Sequence, residues 1–156
     1  MIGKSMMLRR GIPVLLFIGL VSWGTSLSSH EGATGVVKER MTLMESLGGS
    51  MKTLAKFAKG ELEWDTQVVQ KQLSALSSHA SKDLSALFPE GSARHPSEAK
   101  PAIWTDWDEF QALWGDFNKV AKTANEAEPD SPKVLISQIR KLAKTCKSCH
   151  DDFKAD

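Results

Sequence analysis

Four stretches of the sequence repeat apolar residues every three or four positions, the period of an α-helix, and this repetition restricts the fold more than any other feature. The spacing predicts helices over residues 34–59, 66–87 and 103–127, and a final helix that begins at Pro132. The alternation that marks β-strands is almost absent from the sequence. Four helices of this length, joined mostly by short links, predict an all-α fold that is an antiparallel four-helix bundle.

One apolar stripe along each predicted helix is expected to face the core of the bundle. In chain order the four stripes are Val37, Met41, Met44, Gly48, Met51, Ala55 and Ala58; Val69, Leu73, Leu76, Ala80, Leu84 and Leu87; Trp107, Phe110, Trp114, Phe117, Ala121 and Ala124; and Leu135, Ile139, Leu142, Cys146, Cys149 and Phe153. We interpret most of these residues as core packing.

Residues with strong positional preferences mark the ends of the predicted helices. Asp65 or Thr66 can cap the second helix, and Pro89 stops it. Pro132 stands at the first position of the last helix, where proline is favourable. Residues 88–101 contain three prolines and a glycine among polar residues, so we expect an irregular crossover loop there.

The beginning of the chain has the three parts of a cleavable export signal, namely a basic start, an apolar stretch over residues 12–23 and small polar residues. The strongly apolar part covers about 13 residues, whereas a membrane span needs about 20. We therefore predict a signal over residues 1–28, cleaved between Ser26 and His30, and one folded domain over residues 29–156. An uncleaved membrane anchor is the alternative.

Removal of that signal takes away three cations and no anions, so the net charge moves from +1 to about −2 with histidines neutral. This balance argues against a basic patch for nucleic acid. The predicted location is the periplasm, and no stable membrane span is expected after cleavage.

The pentapeptide Cys146-Lys147-Ser148-Cys149-His150 has the C-x-x-C-H arrangement that attaches haem covalently. Two cysteines three positions apart lie on one face of a helix, so both sulfurs can bond the two vinyl groups along one side of a porphyrin. His150 follows directly and can reach the iron as its proximal ligand. We therefore predict Cys146 and Cys149 as the haem attachment sites.

Three other interpretations of the two cysteines compete with haem attachment. A redox-active dithiol normally begins a helix, where the dipole lowers the thiol pKa, whereas this pair ends one. A structural zinc ion needs four ligands, and only the scattered His30, His79 and His95 would be available beside the pentapeptide. A disulfide between positions i and i+3 of a helix fits disulfide geometry poorly.

With this motif at its C-terminal end, the chain resembles the class II cytochromes c, which comprise the cytochrome c-prime family and its low-spin relatives. The resemblance covers residues 34–156 in helix order, crossover position and motif placement. Class I cytochromes c carry the motif near the N-terminus instead. The run from Arg40 to Gly48 and the later Ala58-Lys59-Gly60-Glu61 look like the low-spin branch, in which a methionine of the first helix ligates the iron.

The resemblance implies one covalent haem c per chain, with His150 as proximal and Met44 as distal iron ligand. A thioether is a soft ligand, and a His/Met pair raises the haem reduction potential. Met41 and Met51 share the stripe of Met44 and are alternatives. A further alternative is the five-coordinate situation of the c-prime branch, in which the residue at this position only covers the iron.

Three more residues are candidate haem contacts on the same resemblance. Arg40 would pair with a haem propionate, or else be a solvated surface residue. Trp104 and Phe153 would pack against the haem, or else belong to the core. Members of this family often form homodimers, so a homodimer is a hypothesis for this chain as well.

The predicted function is one-electron transfer between exported or membrane-bound redox partner proteins, with no catalytic residue and no bound substrate. The main alternative is a gas-binding haem protein, in which the sixth position is open or Met44 is displaced by nitric oxide or carbon monoxide. A thiol-disulfide enzyme that uses Cys146 and Cys149 is a third hypothesis, which predicts free thiols and no haem.

Overall fold

A computed structural model describes residues 32–155, so the predicted export signal over residues 1–28 lies outside the described residues. The helices are α1 Gly35–Ala58, α2 Thr66–Ala80, α3 Ala102–Thr105, α4 Trp107–Glu126 and α5 Pro132–Phe153. A short 3₁₀ turn, Ser85–Leu87, lies between α2 and α3. None of the helices within residues 32–155 combines the length and apolar character that crossing a bilayer requires.

The four long helices pack in a ring in which α1 contacts α2 and α5, and α4 contacts the same two helices. Gln70 at the start of α2 donates to Asn125 at the end of α4, so these two helices are antiparallel. The start of α1 and the end of α5 both bond the crossover loop, so they lie at the same end of the bundle. The predicted all-α, antiparallel four-helix bundle is confirmed.

The core-facing side of α1 differs from the predicted stripe by one position along the helix. The buried residues of α1 are Val37, Arg40, Leu43, Leu47, Ser50, Leu54 and Phe57. Of the predicted stripe, Met41, Met44, Gly48 and Met51 instead face a cavity. Because α1 borders both a neighbouring helix and this cavity, it carries two adjacent apolar stripes, and periodicity alone does not distinguish them.

The second helix ends earlier than residue 87, because polar side chains near its end bond the local backbone. The last residue of α2 is Ala80, and the carboxylate of Asp83 accepts hydrogen bonds from the backbone N–H and the hydroxyl of Ser85, at 2.9 and 2.8 Å. Leu84 is still buried, as its stripe predicts. At the start of this helix the predicted cap is confirmed, since Asp65 accepts from the backbone N–H of Val68.

The third predicted helix, over residues 103–127, is divided into α3 and α4. Asp106 leaves the helical conformation, with φ −117° and ψ 43°, and its carboxylate accepts a hydrogen bond from the Thr105 hydroxyl at 3.1 Å. After this break α4 buries Phe110, Phe117, Ala121 and Ala124, as predicted.

The irregular crossover loop over residues 88–101 is confirmed, and its second half is attached to the end of α5. The backbone N–H of Lys100 donates to the carbonyl of Phe153, and that of Ala155 donates to Glu98. The ammonium of Lys154 lies 3.0 Å from the Glu98 carboxylate. An isolated antiparallel bridge between Ala99 and Lys154 completes this attachment.

Candidate haem site

A cavity of about 680 Å³ lies between α1, α4, α5 and the crossover loop. Its volume falls in the range of about 300–1,000 Å³ that is usual for sites of small molecules and cofactors. Most of the surrounding side chains are apolar or aromatic, and they include Leu47, Leu76, Phe88, Ile103, Phe110, Leu113, Trp114, Phe117 and Phe153. The cavity therefore suits a large, flat and mainly apolar group.

The side chains of Cys146, Cys149 and His150 all line this cavity. Both cysteine side chains are half-buried, and they form no disulfide with each other. Burial, together with the smaller effects of the neighbouring Cys146 and Asp152, raises the pKa of the Cys149 thiol to about 11. A redox-active dithiol needs the opposite shift, so the geometry favours two thiols facing an apolar cavity over a thiol-disulfide enzyme.

The imidazole of His150 is the only histidine side chain lining this cavity within residues 32–155. Partial burial lowers its pKa, as does the nearby Lys154, while Asp151 and Glu98 act in the other direction. The neutral imidazole, which is the form that binds metals, is therefore favoured near neutral pH. Among the described residues no three His, Cys, Asp or Glu side chains form a group that could hold a metal ion.

Three methionines of α1 line the cavity, namely Met41, Met44 and Met51. The three side chains are partly buried, and Met44 and Met51 pack against the core. Because α1 packs directly against α5, the thioethers of one helix and the imidazole of the other border the same space. The structure thus brings the predicted ligands Met44 and His150 into one cavity.

Arg40 is buried, with 4% of its surface exposed, so the expectation of a solvated surface arginine is wrong. Its guanidinium donates to the carbonyls of Leu87 and Ser92 at 3.2 and 2.8 Å, and to the hydroxyls of Ser92 and Ser97 at 2.7 and 2.9 Å. It also lies over the ring of Phe88, 4.7 Å from its centroid. Three of its five N–H groups bond the crossover loop and a fourth bonds Leu87 just before it, so the propionate contact stays a prediction that involves the remaining Nε–H.

Arg40→Met should lower the free energy of unfolding of the holoprotein by about 2–4 kcal/mol, because buried carbonyl and hydroxyl groups of the loop lose their charged donor. Amide hydrogen exchange over residues 88–99 should accelerate in the same variant. Arg94→Met is the matched control, since Arg94 is exposed on this loop. Equal stability and equal exchange in the two variants would show that Arg40 does not hold the loop.

The two aromatic residues predicted to contact the haem, Phe153 and Trp104, differ in their position relative to the cavity. Phe153 is buried, lines the cavity and packs edge-to-face on Phe110 at 5.2 Å. The indole of Trp104 donates to the carbonyl of Phe88 at 2.9 Å, and its side chain does not line the cavity, which its neighbour Ile103 does. This hydrogen bond anchors the indole to the loop backbone, so the predicted haem contact of Trp104 is not supported.

Sequence reasoning missed a further part of the cavity wall. The aromatic stripe of α4 was expected to be core packing alone, yet Phe110, Trp114 and Phe117 also face the cavity. Loop residues 96–99 complete the wall, and no periodic pattern marks them. The unusual concentration of aromatic residues in α4 was the available signal, because such side chains suit a flat aromatic ligand.

Gly48 provides a test of whether this cavity fits a porphyrin. It lies in the middle of α1 on the cavity face, and nothing in the protein lies within 4 Å of a Cβ added there. A glycine inside a helix costs about 0.5–1 kcal/mol relative to alanine, so its presence calls for a reason. Close approach of a bulky flat group to the helix backbone supplies one, and the residues present therefore fit a haem.

A four-helix bundle whose last helix presents two thiols and an imidazole to a large apolar cavity defines a class of protein, the helical c-type cytochromes. The family model described as cytochrome C' matches residues 35–154. The chain is 36% identical to cytochrome c' of Rhodopseudomonas palustris, covering 88% of this chain and 92% of that protein. It is 32% identical to cytochrome c-556 of Agrobacterium fabrum, covering 78% and 82% respectively.

Solved structures agree with this assignment. Cytochrome c' from Rhodopseudomonas palustris superposes with a TM-score of 0.72 at 34% identity, over 80% of this chain and 98% of that one. The chain belongs to the cytochrome c' family, and its cofactor is one covalently attached haem c. The cysteines near its C-terminus fit this attachment.

Gly48→Leu should reduce the haem content of the purified protein at least severalfold, because the new side chain enters the cavity. Gly49→Leu is the matched control: Gly49 is also helical and open to a Cβ, but it does not line the cavity. We expect the control to keep its haem and to gain about 0.5–1 kcal/mol of stability. The pyridine haemochrome spectrum measures the amount of haem per protein. Full haem content in Gly48→Leu would show that the haem lies elsewhere.

Proposed function

We propose that this protein is a one-electron carrier in which Cys146 and Cys149 form the two thioether bonds and His150 and Met44 are the axial ligands. The observation that carries the proposal is that Met44 of α1 and His150 of α5 line one cavity, between two helices that contact each other. When bound, the haem supplies a reversible change between Fe(III) and Fe(II).

The surrounding side chains are suited to this role. The Met44 thioether is a soft ligand that favours the reduced state, and the neutral His150 imidazole is available from the neighbouring helix α5. Phe110, Phe117 and Phe153 are buried and line the cavity with apolar rings. Met41 and Met51 line the same cavity and are the alternative ligands.

A gas-binding haem protein is the second candidate function. Relatives named cytochrome c' and relatives named cytochrome c-556 match this chain at similar identity, so family membership alone does not assign the sixth ligand. One structural neighbour, at 19% identity, is a nitric oxide complex of a cytochrome c prime variant from Alcaligenes xylosoxidans. For this chain the two candidates differ in whether the Met44 thioether stays bound in the reduced state.

The absorption spectrum of the purified holoprotein tests the proposal. An electron carrier with His150 and Met44 as ligands should show six-coordinate, low-spin bands in both oxidation states, and carbon monoxide should leave the reduced spectrum unchanged. High-spin bands, or a reduced spectrum that changes fully under carbon monoxide, would refute the proposed ligation and favour gas binding.

We further propose that residues 1–28 are removed on export, which leaves residues 29–156 as the periplasmic domain. Mass spectrometry of the secreted protein locates the new N-terminus.

A homodimer is also a hypothesis. One neighbour in the fold comparison, at 19% identity, is described as a cytochrome c' with ligand-controlled dimer dissociation. Sedimentation velocity of the holoprotein measures the oligomeric state of this chain.

A further inference from the structure

The outer face of α5 carries a concentration of positive charge. Residues 133–147 contain five lysines and arginines and no carboxylate, and all five side chains are exposed: Lys133, Arg140, Lys141, Lys144 and Lys147. We name this set the α5 basic stripe. The rest of residues 29–156 holds 12 lysines and arginines against 19 carboxylates, so the stripe has the opposite sign to the remainder of the domain.

Part of the α5 basic stripe lies beside the haem cavity, although none of its five side chains lines the cavity. Residues three and four positions apart are neighbours on a helix surface. Ala143 and His150 line the cavity. Arg140 precedes Ala143 by three positions, and Lys147 lies four positions after Ala143 and three before His150. Along the helix, the cations Arg140 and Lys147 therefore alternate with Ala143 and His150, which line the cavity.

The positive charge of the stripe is largely uncompensated. Within residues 32–155, its one ion pair joins Lys147 to Asp151 at the end of α5. Arg140, Lys141 and Lys144 have no carboxylate partner in that range. By contrast, Lys119 and Lys122 on α4 pair with Asp116 and Glu126. Charges that lie close together without partners produce a local field that attracts anions.

We propose that the α5 basic stripe is the docking surface for a redox partner protein with an acidic face. Complementary charge speeds encounter and orients two proteins, and here it would bring the partner to the rim of the cavity that holds the haem. The proposal rests on the proposed function as an electron carrier. An anionic membrane or a nucleic acid would be attracted by the same charge, but neither gives a reason for the stripe to lie beside the haem cavity.

Oxidation of the reduced holoprotein by small inorganic reagents measures the sign of this local field. The reagents are hexacyanoferrate(III), an anion, and tris(1,10-phenanthroline)cobalt(III), a cation. Raising the ionic strength from about 10 to about 150 mM shortens the Debye length from about 30 to about 8 Å. We expect the rate with hexacyanoferrate to fall about threefold or more and the rate with the cobalt complex to rise.

The net charge of the domain predicts the reverse, because a molecule with charge of about −2 repels the anion and attracts the cation. A hexacyanoferrate rate that rises with ionic strength would therefore overturn the proposal.

Paired substitutions locate the effect on α5. The variant R140Q/K144Q should lose most of the rate advantage with hexacyanoferrate at low ionic strength. The control variant K119Q/K122Q makes the same change of charge on the exposed face of α4 and should behave like the unmodified protein. Equal losses in the two variants would overturn the proposal, because the attraction would then be a property of the whole molecule.

Two binding measurements test the kind of partner. Fluorescein-labelled poly-L-glutamate, a mimic of an acidic protein face, should bind the holoprotein at low ionic strength and bind R140Q/K144Q about threefold or more weakly. Unchanged binding in that variant would contradict the proposal. Cosedimentation with phosphatidylglycerol vesicles at about 100 mM ionic strength, lost in R140Q/K144Q, would assign the stripe to a membrane surface instead.

Failure of this inference is distinguishable from failure of the proposed function. The carbon monoxide spectrum tests axial ligation and does not depend on the charges of α5. Binding of poly-L-glutamate depends on those charges and does not require low-spin ligation. A high-spin spectrum would remove the electron-carrier proposal even if the stripe binds polyanions.

Discussion

Replacing Met44 with alanine should convert a low-spin haem that does not react with carbon monoxide into a high-spin haem that binds it. The substitution leaves His150 as the one proposed protein ligand, and it removes a soft thioether that stabilises the reduced state. We therefore expect the reduction potential to fall by on the order of 100 mV. Absorption spectra with and without carbon monoxide, together with a spectroelectrochemical titration, measure both changes.

Met51→Ala and Met41→Ala are the matched controls, because both methionines lie on α1 and line the same cavity. Each removes the same side chain and creates a similar space, so each should destabilise the protein while leaving the spectrum low-spin. If Met51→Ala or Met41→Ala produced the high-spin spectrum and Met44→Ala did not, the distal ligand would have to be reassigned.

The double variant Cys146→Ala/Cys149→Ala should contain no covalently attached haem when it is secreted from a host that matures cytochromes. Mass spectrometry after denaturation detects the loss directly, because thioether-linked haem survives denaturation. We also expect the bundle to loosen in the haem-free protein. The apolar side chains around the cavity would then lose the group that they pack against, which destabilises the packed bundle.

Far-UV circular dichroism should therefore stay helical in the haem-free variant, while near-UV signals weaken and the dye ANS binds. Ser148→Ala is the control, since Ser148 lies between the two cysteines and does not line the cavity. It should keep its haem and its near-UV signals. A tightly folded, colourless double variant that excludes ANS would show that the bundle does not depend on the haem.

The helical period predicted the fold because each long helix buries one face. The second and last stripes were located well, with Val69, Leu73, Leu135 and Leu142 fully buried. The breaks at residues 81–84 and at Asp106 were missed, because they depend on hydrogen bonds from short polar side chains that do not alter the apolar period.

The two sides of the candidate haem site, which α5 and α1 form, were predictable from the sequence to different extents. The C-x-x-C-H motif is local in sequence, so Cys146, Cys149 and His150 were identified without the fold. Met44 required the resemblance to the low-spin branch, because three methionines of α1 share one stripe. The role of Arg40 was not predictable, since its partners lie 47 to 57 residues away along the chain.

Net charge was a poor guide to the surface of this protein. A net charge near −2 argued against a basic patch for nucleic acid, but it did not reveal that five cations are concentrated on one side of α5. The acidic residues that balance them lie mostly on other segments, including the start of α4. Charge must therefore be assigned to individual helix faces before partners are inferred from it.

The crossover loop is attached to both of the helices that carry the proposed ligands. Arg40 fastens the loop to α1, and Lys154 and Ala155 fasten it to the end of α5. Most surface loops tolerate insertions, but here added length between Ser92 and Glu98 would alter the distance between these anchor points. The separation of the proposed ligands Met44 and His150 thus depends in part on a segment that contains neither of them.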